Sequence, residues 1–594
     1  MKRPPGLKIF IILVSFFYVQ LTSALYAEEP RLQPLSSVTR LAHAHEPLAL
    51  SELVTASLVL SGVDESELHG LENKFNTKIN EVKSYFQGRG VSPELGDDLL
   101  KYIHNQYLRR YNVKQTGLDE LLNKGTYNCV SSAVFYLILS RSLGFSTYGV
   151  KTTDHSFCTI RVGGKSYDVE TTSSYGFNPG EKKEFKDDFG KITGYAYVPP
   201  GNYDKREIIG EKELLFLILH NRVVLSLEKK QYNNAVSIAV DGYELIKNDF
   251  ALSLLLQTFT QYSTWIISSK QFASGAEVLK NASSRYDRQV KLKELHSYII
   301  VQWAVFYIDK SEFDQAQDLI LHNYKEKIIN HDTYRELIVY LHHKKAEYYA
   351  KHDGNKSALE VINQGLIMFH DEQSLIQSKT LYTYNYIAEL ITEGDVEMAS
   401  SVLSRTKTEN LFAEKDYTEL FAFLYQKKAE LVYAAEGAEA ALHLLEAGMN
   451  EIVDKTLLLQ LGEMYLFNHI KDLIKNGEFT EASSQINGHF ASIFFSRKDK
   501  QDLLLYFYLT KAEKLADSNG YLKAAQCIEE GISIMGKHSH LVQNYEAYIH
   551  NHVAELARRN EYAAALTVLN HALTILPASS VFKKDKRVVA ENMN

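Results

Sequence analysis

Apolar residues recur three and four apart over most of this chain, and beyond about residue 210 a longer period is laid over that helical one. Small residues stand at Ala235, Gly275, Ala316, Ala358, Ala399, Ala441, Ala482, Ala524 and Ala565, separated by 40, 41, 42, 41, 42, 41, 42 and 41 residues. In six units a second Gly or Ala follows seven residues later, at Gly242, Ala282, Gly365, Gly448, Gly531 and Ala572. Two turns of helix separate each pair, so both members face one way and admit a neighbouring helix. An aromatic precedes the anchor by three residues at Tyr232, Phe272, Phe313, Phe479, Tyr521 and Tyr562. Ala-Glu pairs starting at Ala346, Ala388, Ala429, Ala512 and Ala554 form a second series with the same period. Turn-prone Gly, Asn and Asp residues fall between the two series, so each unit reads as helix, short turn, helix. Such a hairpin cannot bury a core alone, but nine can by stacking, which predicts an all-α solenoid.

The unit resembles the tetratricopeptide repeat, whose second helix carries this order of turn, aromatic, Ala, then Gly or Ala. It departs from that family in its longer period, 41–42 residues against about 34. The resemblance covers residues 211–580 and implies a surface for a protein or peptide partner. Residues 581–594 read as a polar tail, with Lys583, Lys584, Lys586 and Arg587 solvated.

Upstream the pattern differs. Lys2, Arg3 and Lys8 precede a short apolar run from Ile9 to Val19, and Thr22, Ser23 and Ala24 follow, as in a signal peptide over residues 1–24. The expectation is an exported protein, periplasmic or secreted, with no stable membrane span after cleavage; an uncleaved anchor is the alternative. Residues 25–46 read as a linker, whose His43 and His45 lack further ligands for a metal. From Leu48 to Tyr111 the spacing is helical. After Gly125 one helix is followed by β-like runs at Tyr148–Lys151, Ser156–Val162, Ser166–Thr172 and Tyr195–Val198, and Pro199-Pro200-Gly201-Asn202 marks a boundary. This makes 47–205 one mixed domain.

Composition changes little of this and removes some alternatives. With 65 Lys and Arg against 73 Asp and Glu, the net charge of −8 gives no reason to expect nucleic acid. Three cysteines, Cys129, Cys158 and Cys527, make no disulfide framework and no zinc motif, and no cofactor is implied.

One thiol stands out. Cys129 opens a helix that runs to Leu143, where unpaired N–H groups and the helix dipole favour the thiolate. Val130, Ala133, Val134, Leu137 and Ile138 form the predicted buried stripe of that helix. His155 follows at the start of a β-like run, with Cys158 on the opposite face. If Gly163-Gly164 is a two-residue turn, paired positions of the hairpin sum to 327. Glu170 and Asp168 then share the face of His155, with Glu170 the diagonal neighbour and Asp168 farther away. Glu170 is the preferred orienting carboxylate and Asp168 the alternative.

The segments Gly125-Thr-Tyr-Asn-Cys129-Val-Ser-Ser-Ala133, Asp154-His155-Ser156-Phe157 and Tyr167-Asp-Val-Glu-Thr-Thr172 resemble the core of the transglutaminase-like superfamily. That resemblance implies an α+β papain-like domain with a Cys-His-Asp/Glu core, carried by Cys129 and His155. The family's Asp-x-Thr is matched here by Glu170-Thr171-Thr172, and the only tryptophans, Trp265 and Trp303, lie in the repeats. Two functions follow as expectations. One is an exported cysteine peptidase, amidase or acyl transferase acting on an envelope protein or peptide, with hydrolysis preferred over crosslinking. The other is a non-catalytic interaction scaffold with an inactive transglutaminase-like domain.

Overall fold

The computed structural model describes residues 29–153, 155–180, 182–194, 206–286, 288–517 and 520–593. The leader expected over residues 1–24, the strand at Tyr195–Val198 and the Pro-Pro-Gly-Asn boundary all lie outside these. The chain forms two compact units, divided between Leu341 and His342.

The first unit begins with α1 (Ser36–His43), α2 (Leu50–Ser61), α3 (Glu65–Tyr85) and α4 (Pro93–Gln106). Next come β1 (Arg110–Tyr111), α5 (Leu118–Lys124), β2 (Thr126–Tyr127) and α6 (Cys129–Ser142). β3 (Ser146–Lys151), β4 (Ser156–Val162), β5 (Lys165–Val169), α7 (Lys183–Thr193) and β6 (Glu207–Ile209) complete this part. β3 to β6 form an antiparallel sheet in the order β5-β4-β3-β6, while β1 and β2 pair in parallel. Gly163 and Gly164 both take positive φ, 56° and 78°, as a two-residue hairpin turn requires, and Val162 pairs with Lys165. The fourth strand comes from Glu207–Ile209, beside β3.

The helix α6 is buried along almost its whole length, from Val130 to Ser140, and not on a single stripe. It lies against β3 and β4 on one side and against α2, α3, α4 and α5 on the other. A helix covered on both sides has to be apolar all round. The expected linker is also structured. Arg31 pairs with the buried Asp241 at 2.6 Å, and the Leu35 N–H donates to the same carboxylate at 2.9 Å.

Helical hairpins follow. The first unit holds α8 (Glu211–Glu228) with α9 (Tyr232–Ile246), α10 (Asp249–Ser269) with α11 (Phe272–Arg285), and α12 (Val290–Asp309) with α13 (Phe313–Lys325). α14 (His331–His352) spans the division and α15 (Asn355–Met368) follows it. The second unit continues with α16 (Gln373–Glu393), α17 (Val396–Thr408), α18 (Glu414–Glu436), α19 (Ala438–Gly448) and α20 (Thr456–Asn476). It ends with α21 (Phe479–Asn487), α22 (His489–Phe494), α23 (Arg497–Ala516), α24 (Tyr521–Met535), α25 (Ser539–Arg558), α26 (Tyr562–Ile575) and α27 (Ser580–Glu591). The expected polar tail is therefore helix α27. Its Phe582 and Val589 are buried, an apolar pair that covers the end of the stack.

All nine small anchors lie buried in the second helices of the hairpins. At Gly275 even a Cβ would meet Ile266 at 2.3 Å, and at Gly448 it would meet Tyr425 at 2.5 Å. The recurring aromatics are each the first residue of a second helix. The turn before the second helix repeats as well: Lys230, Lys270, Ser311, Gly394, Gly477 and Asn560 all take positive φ. The next N–H turns back to the first helix, as in Gln231 to Ser226 O at 2.8 Å and Glu561 to Leu556 O at 2.9 Å. The all-α, tetratricopeptide-like solenoid is thus present. The papain-like α+β class is not: helices dominate the described residues between 47 and 209 too, and the larger sheet there is four short strands, of which β6 lies beyond 205.

Candidate functional site

The start of α6 is fixed by a reciprocal cap. The Asn128 side chain accepts the Ser131 N–H at 2.9 Å, and the Ser131 hydroxyl accepts the Asn128 N–H at 2.9 Å. Cys129 is the first residue of the helix, half-buried. His155 ends the connection from β3, where its carbonyl accepts the Thr152 N–H at 2.9 Å and its own N–H donates to the Thr152 hydroxyl at 3.2 Å.

His155 Nε2 lies 2.7 Å from Glu170 Oε2, with the two side chains 11% and 2% exposed. The other Glu170 oxygen accepts the Thr172 hydroxyl at 2.9 Å and the Thr172 N–H at 3.3 Å. Glu170 holds Nε2, which leaves Nδ1 as the free ring nitrogen, and the Cys129 thiol lies near enough to His155 for the two to shift each other's protonation.

The electrostatics follow from this order. Burial opposes charge on His155, but the Glu170 carboxylate and the hydrogen bond to Cys129 outweigh it, holding the imidazole well above its ordinary value. Burial also raises the Cys129 thiol. The hydrogen bond and charge of His155, with the Ser156 N–H, overcome that and leave the thiol below its ordinary value. Cys158 is the opposite case: buried, with its thiol 3.2 Å from the Ala133 carbonyl and held well above the ordinary range by burial. Cys527 is pushed up to about 11, again by burial.

Cys129, His155 and Glu170 are therefore brought together. Asp168 is not part of the group: it pairs with Thr159 across the hairpin and its carboxylate binds Arg206 at 2.5 Å. Arg206 also lies over Phe157, 5.9 Å from the ring centre, and Phe189 stands edge-on to the His155 ring at 5.6 Å.

Sequence reasoning missed what holds Glu170. The segment after it is tied down residue by residue. His104 Nε2 donates to the Thr171 carbonyl at 3.1 Å, the Ser132 and Thr171 hydroxyls are 2.8 Å apart, and the Tyr127 hydroxyl donates to the Thr172 carbonyl at 3.2 Å. The Ser173 hydroxyl donates to Asp188. Gly176 closes the turn, accepting the Glu170 N–H at 2.8 Å; a Cβ there would sit 1.9 Å from the Glu170 carbonyl oxygen. Of these, only the glycine carries a local sequence signal.

No group of His, Cys, Asp and Glu suited to a metal ion occurs among the described residues. None of their helices is long and apolar enough to cross a membrane.

No family model matches the chain, and no curated protein matches it. Among solved structures it is similar to menin, in a crystal structure that reveals the binding site for the Mixed Lineage Leukemia protein, at 11% identity and a TM-score of 0.26, over 80% of this chain and 96% of that one. It is similar to the P58(IPK) TPR domain at 12% identity and a TM-score of 0.13, over 63% and 97% of the two chains. A third is the APC/C hetero-tetramer Cut9-Hcn1, at 10% identity and 0.13, over 62% and 95%. The resemblance to the transglutaminase-like superfamily does not hold: helices dominate the described residues and the sheets are small. What stands is an array of helical hairpins with a Cys129–His155–Glu170 cluster in its first unit.

Proposed function

We propose that this chain is a protein-interaction scaffold, in which the hairpins of residues 211–580 engage a protein or peptide partner. The observation that carries the reading is the repeat itself. Buried small anchors hold hairpin against hairpin, and within each unit the outer helix faces are left as a regularly spaced surface. Cross-linking mass spectrometry of the full chain in an extract of its own cells tests it. Cross-links to another protein should concentrate in 211–580 and persist in Cys129→Ala. Cross-links confined to residues 47–205, or lost in that variant, would overturn it.

A second activity is favoured by one specific observation, the His155–Glu170 hydrogen bond with the Cys129 thiol beside the same ring. In this reading the Cys129 thiolate attacks an amide carbonyl carbon and forms a thioester. His155 gives its Nδ1 proton to the departing amine. The Cys129 and Val130 N–H groups, ahead of the capped Ser131, would serve the developing oxyanion. Water, deprotonated by His155, then attacks the thioester carbon, releasing the carboxylic acid and restoring the thiol. Hydrolysis is preferred over transfer to an amine, and the exported setting read from residues 1–24 belongs to the same proposal. Alkylation by iodoacetamide tests the cluster. Cys129 should react well below pH 8, and His155→Ala should remove that advantage. Reaction indistinguishable from that of unfolded-chain thiols across pH would end the proposal.

A further inference from the structure

The first helices of the hairpins in the second unit share a feature that their packing does not require. Leu381, Phe423, Met464, Tyr506 and Tyr548 occupy one equivalent position, 41–42 residues apart, on α16, α18, α20, α23 and α25. The core is served by other residues of the same helices, such as Leu420, Leu466 and Leu503. On the first four helices that position faces out, with Leu381 56% exposed, Phe423 40%, Met464 47% and Tyr506 36%, whereas Tyr548 is half-buried against the core and ends the line. Large apolar side chains aligned in this way differ from the scattered ones expected on any surface.

A second series runs beside the first. One helical turn earlier on the same five helices stand Gln377, Glu419, Gln460, Asp502 and Asn544, each ending in a side-chain carbonyl or carboxylate oxygen. The first four are exposed. Residues four apart lie on one helix face, about 5–6 Å from each other, so the two series form parallel lines. Successive first helices contact one another directly, which puts the rungs about 8–10 Å apart. Lys471 on α20 reaches the Tyr506 ring on α23 at 5.8 Å, a direct link between adjacent rungs.

Partner chemistry follows from these lines. An extended chain in the polyproline II conformation repeats every three residues over about 9.3 Å, which matches the rung spacing. Its backbone N–H groups are unpaired, and the acceptor line offers them oxygens. Charge selects further. Between Asp371 and Tyr506, the stretch that holds the exposed rungs, there are 22 Asp and Glu against 12 Lys and Arg, so basic side chains suit the remaining positions. We infer that this double line is a docking track for an extended, basic protein segment with an apolar side chain at every third residue. The inference rests on the interaction reading above and names the site and chemistry of the partner. The four exposed rungs correspond to a segment of about 10 residues.

The test pans the full chain against random peptides of about 15 residues displayed on phage. The same panning is run with Phe423→Ser/Met464→Ser and, separately, with Glu419→Arg/Asp502→Arg, all at exposed positions, with circular dichroism as a check on folding. The expected result is enrichment of basic peptides with apolar residues three apart, binding each double variant at least about tenfold more weakly. Enriched peptides lacking that spacing, or binding the variants equally, would overturn the track and leave the interaction reading standing. No enrichment at all would overturn both. Dissociation of a wild-type oligomer by the Ser variant in sedimentation, or its loss of binding to phospholipid vesicles, would assign the track to a second copy or to a membrane and overturn the peptide reading.

Discussion

Glu170 Oε2 and His155 Nε2 lie 2.7 Å apart, and the carboxylate is the more deeply buried of the two. A buried carboxylate on one imidazole nitrogen stabilises the protonated ring, and a protonated ring stabilises the thiolate on its other side. Glu170→Gln keeps the shape and removes the charge. The midpoint of Cys129 alkylation against pH should rise by roughly one unit or more. An unchanged profile would mean that Glu170 does not set the charge of His155.

Asp168 provides the contrast. Its carboxylate serves Arg206, so Asp168→Asn should leave the alkylation profile where it is and loosen only the Arg206–Phe157 contact. A shift as large as that of Glu170→Gln would reverse the assignment of the two acids.

Gly176 tests the backbone beneath the cluster. In Gly176→Ala the new Cβ would overlap the Glu170 carbonyl oxygen, 1.9 Å away, so the turn has to move. A loss of about 2 kcal/mol in stability by denaturant titration is expected, together with a raised alkylation midpoint. Wild-type stability would show that the turn yields at no cost.

His104 links the site to acid. Burial holds its pKa down to about 4, while the hydrogen bond to Thr171 pulls the other way. A histidine with a depressed folded value contributes stability above its unfolded value, near 6.5, and that contribution is lost as pH falls from there towards 4. The first unit should therefore lose roughly 2–3 kcal/mol between pH 7 and pH 4 through this group. His104→Gln, which keeps a donor for Thr171, should flatten that part of the pH dependence of melting. An equally steep dependence in the variant would place the acid sensitivity elsewhere.

In the repeats, Ala441 is fully buried between helices. Ala441→Leu should cost about 1–3 kcal/mol through overpacking, read from thermal melting. Lys230→Gly should instead stabilise by about 1 kcal/mol, because Lys230 holds φ at 57° in the turn between helices. A destabilised Lys230→Gly would mean that the side chain offsets its backbone strain.

The parts legible in the sequence were those set by local rules. The hairpin register follows from two adjacent glycines, and it carries Glu170 towards His155. A period of 41–42 residues exposes the repeats because each copy meets the same packing constraint. What stayed hidden depends on distant pairs. His104 and Thr171 are 67 residues apart and Ser132 and Thr171 are 39 apart, so neither leaves a spacing signal. Lys230 and Lys270 take left-handed turn positions that elsewhere in the array fall to Gly and Asn, and lysine announces no turn. The two family resemblances also fared differently. A repeated pattern tests itself at every copy, whereas a few residues around one cysteine have no second copy against which to fail.

The three thiols also make the chain its own reporter. Only Cys129 is partly accessible, so the folded protein should take up a single equivalent of a thiol reagent. Cys158 lies in the first unit and Cys527 in the second, each silent until its surroundings open. Mapping the second and third equivalents by peptide mass would then time the opening of each unit separately, without any added label.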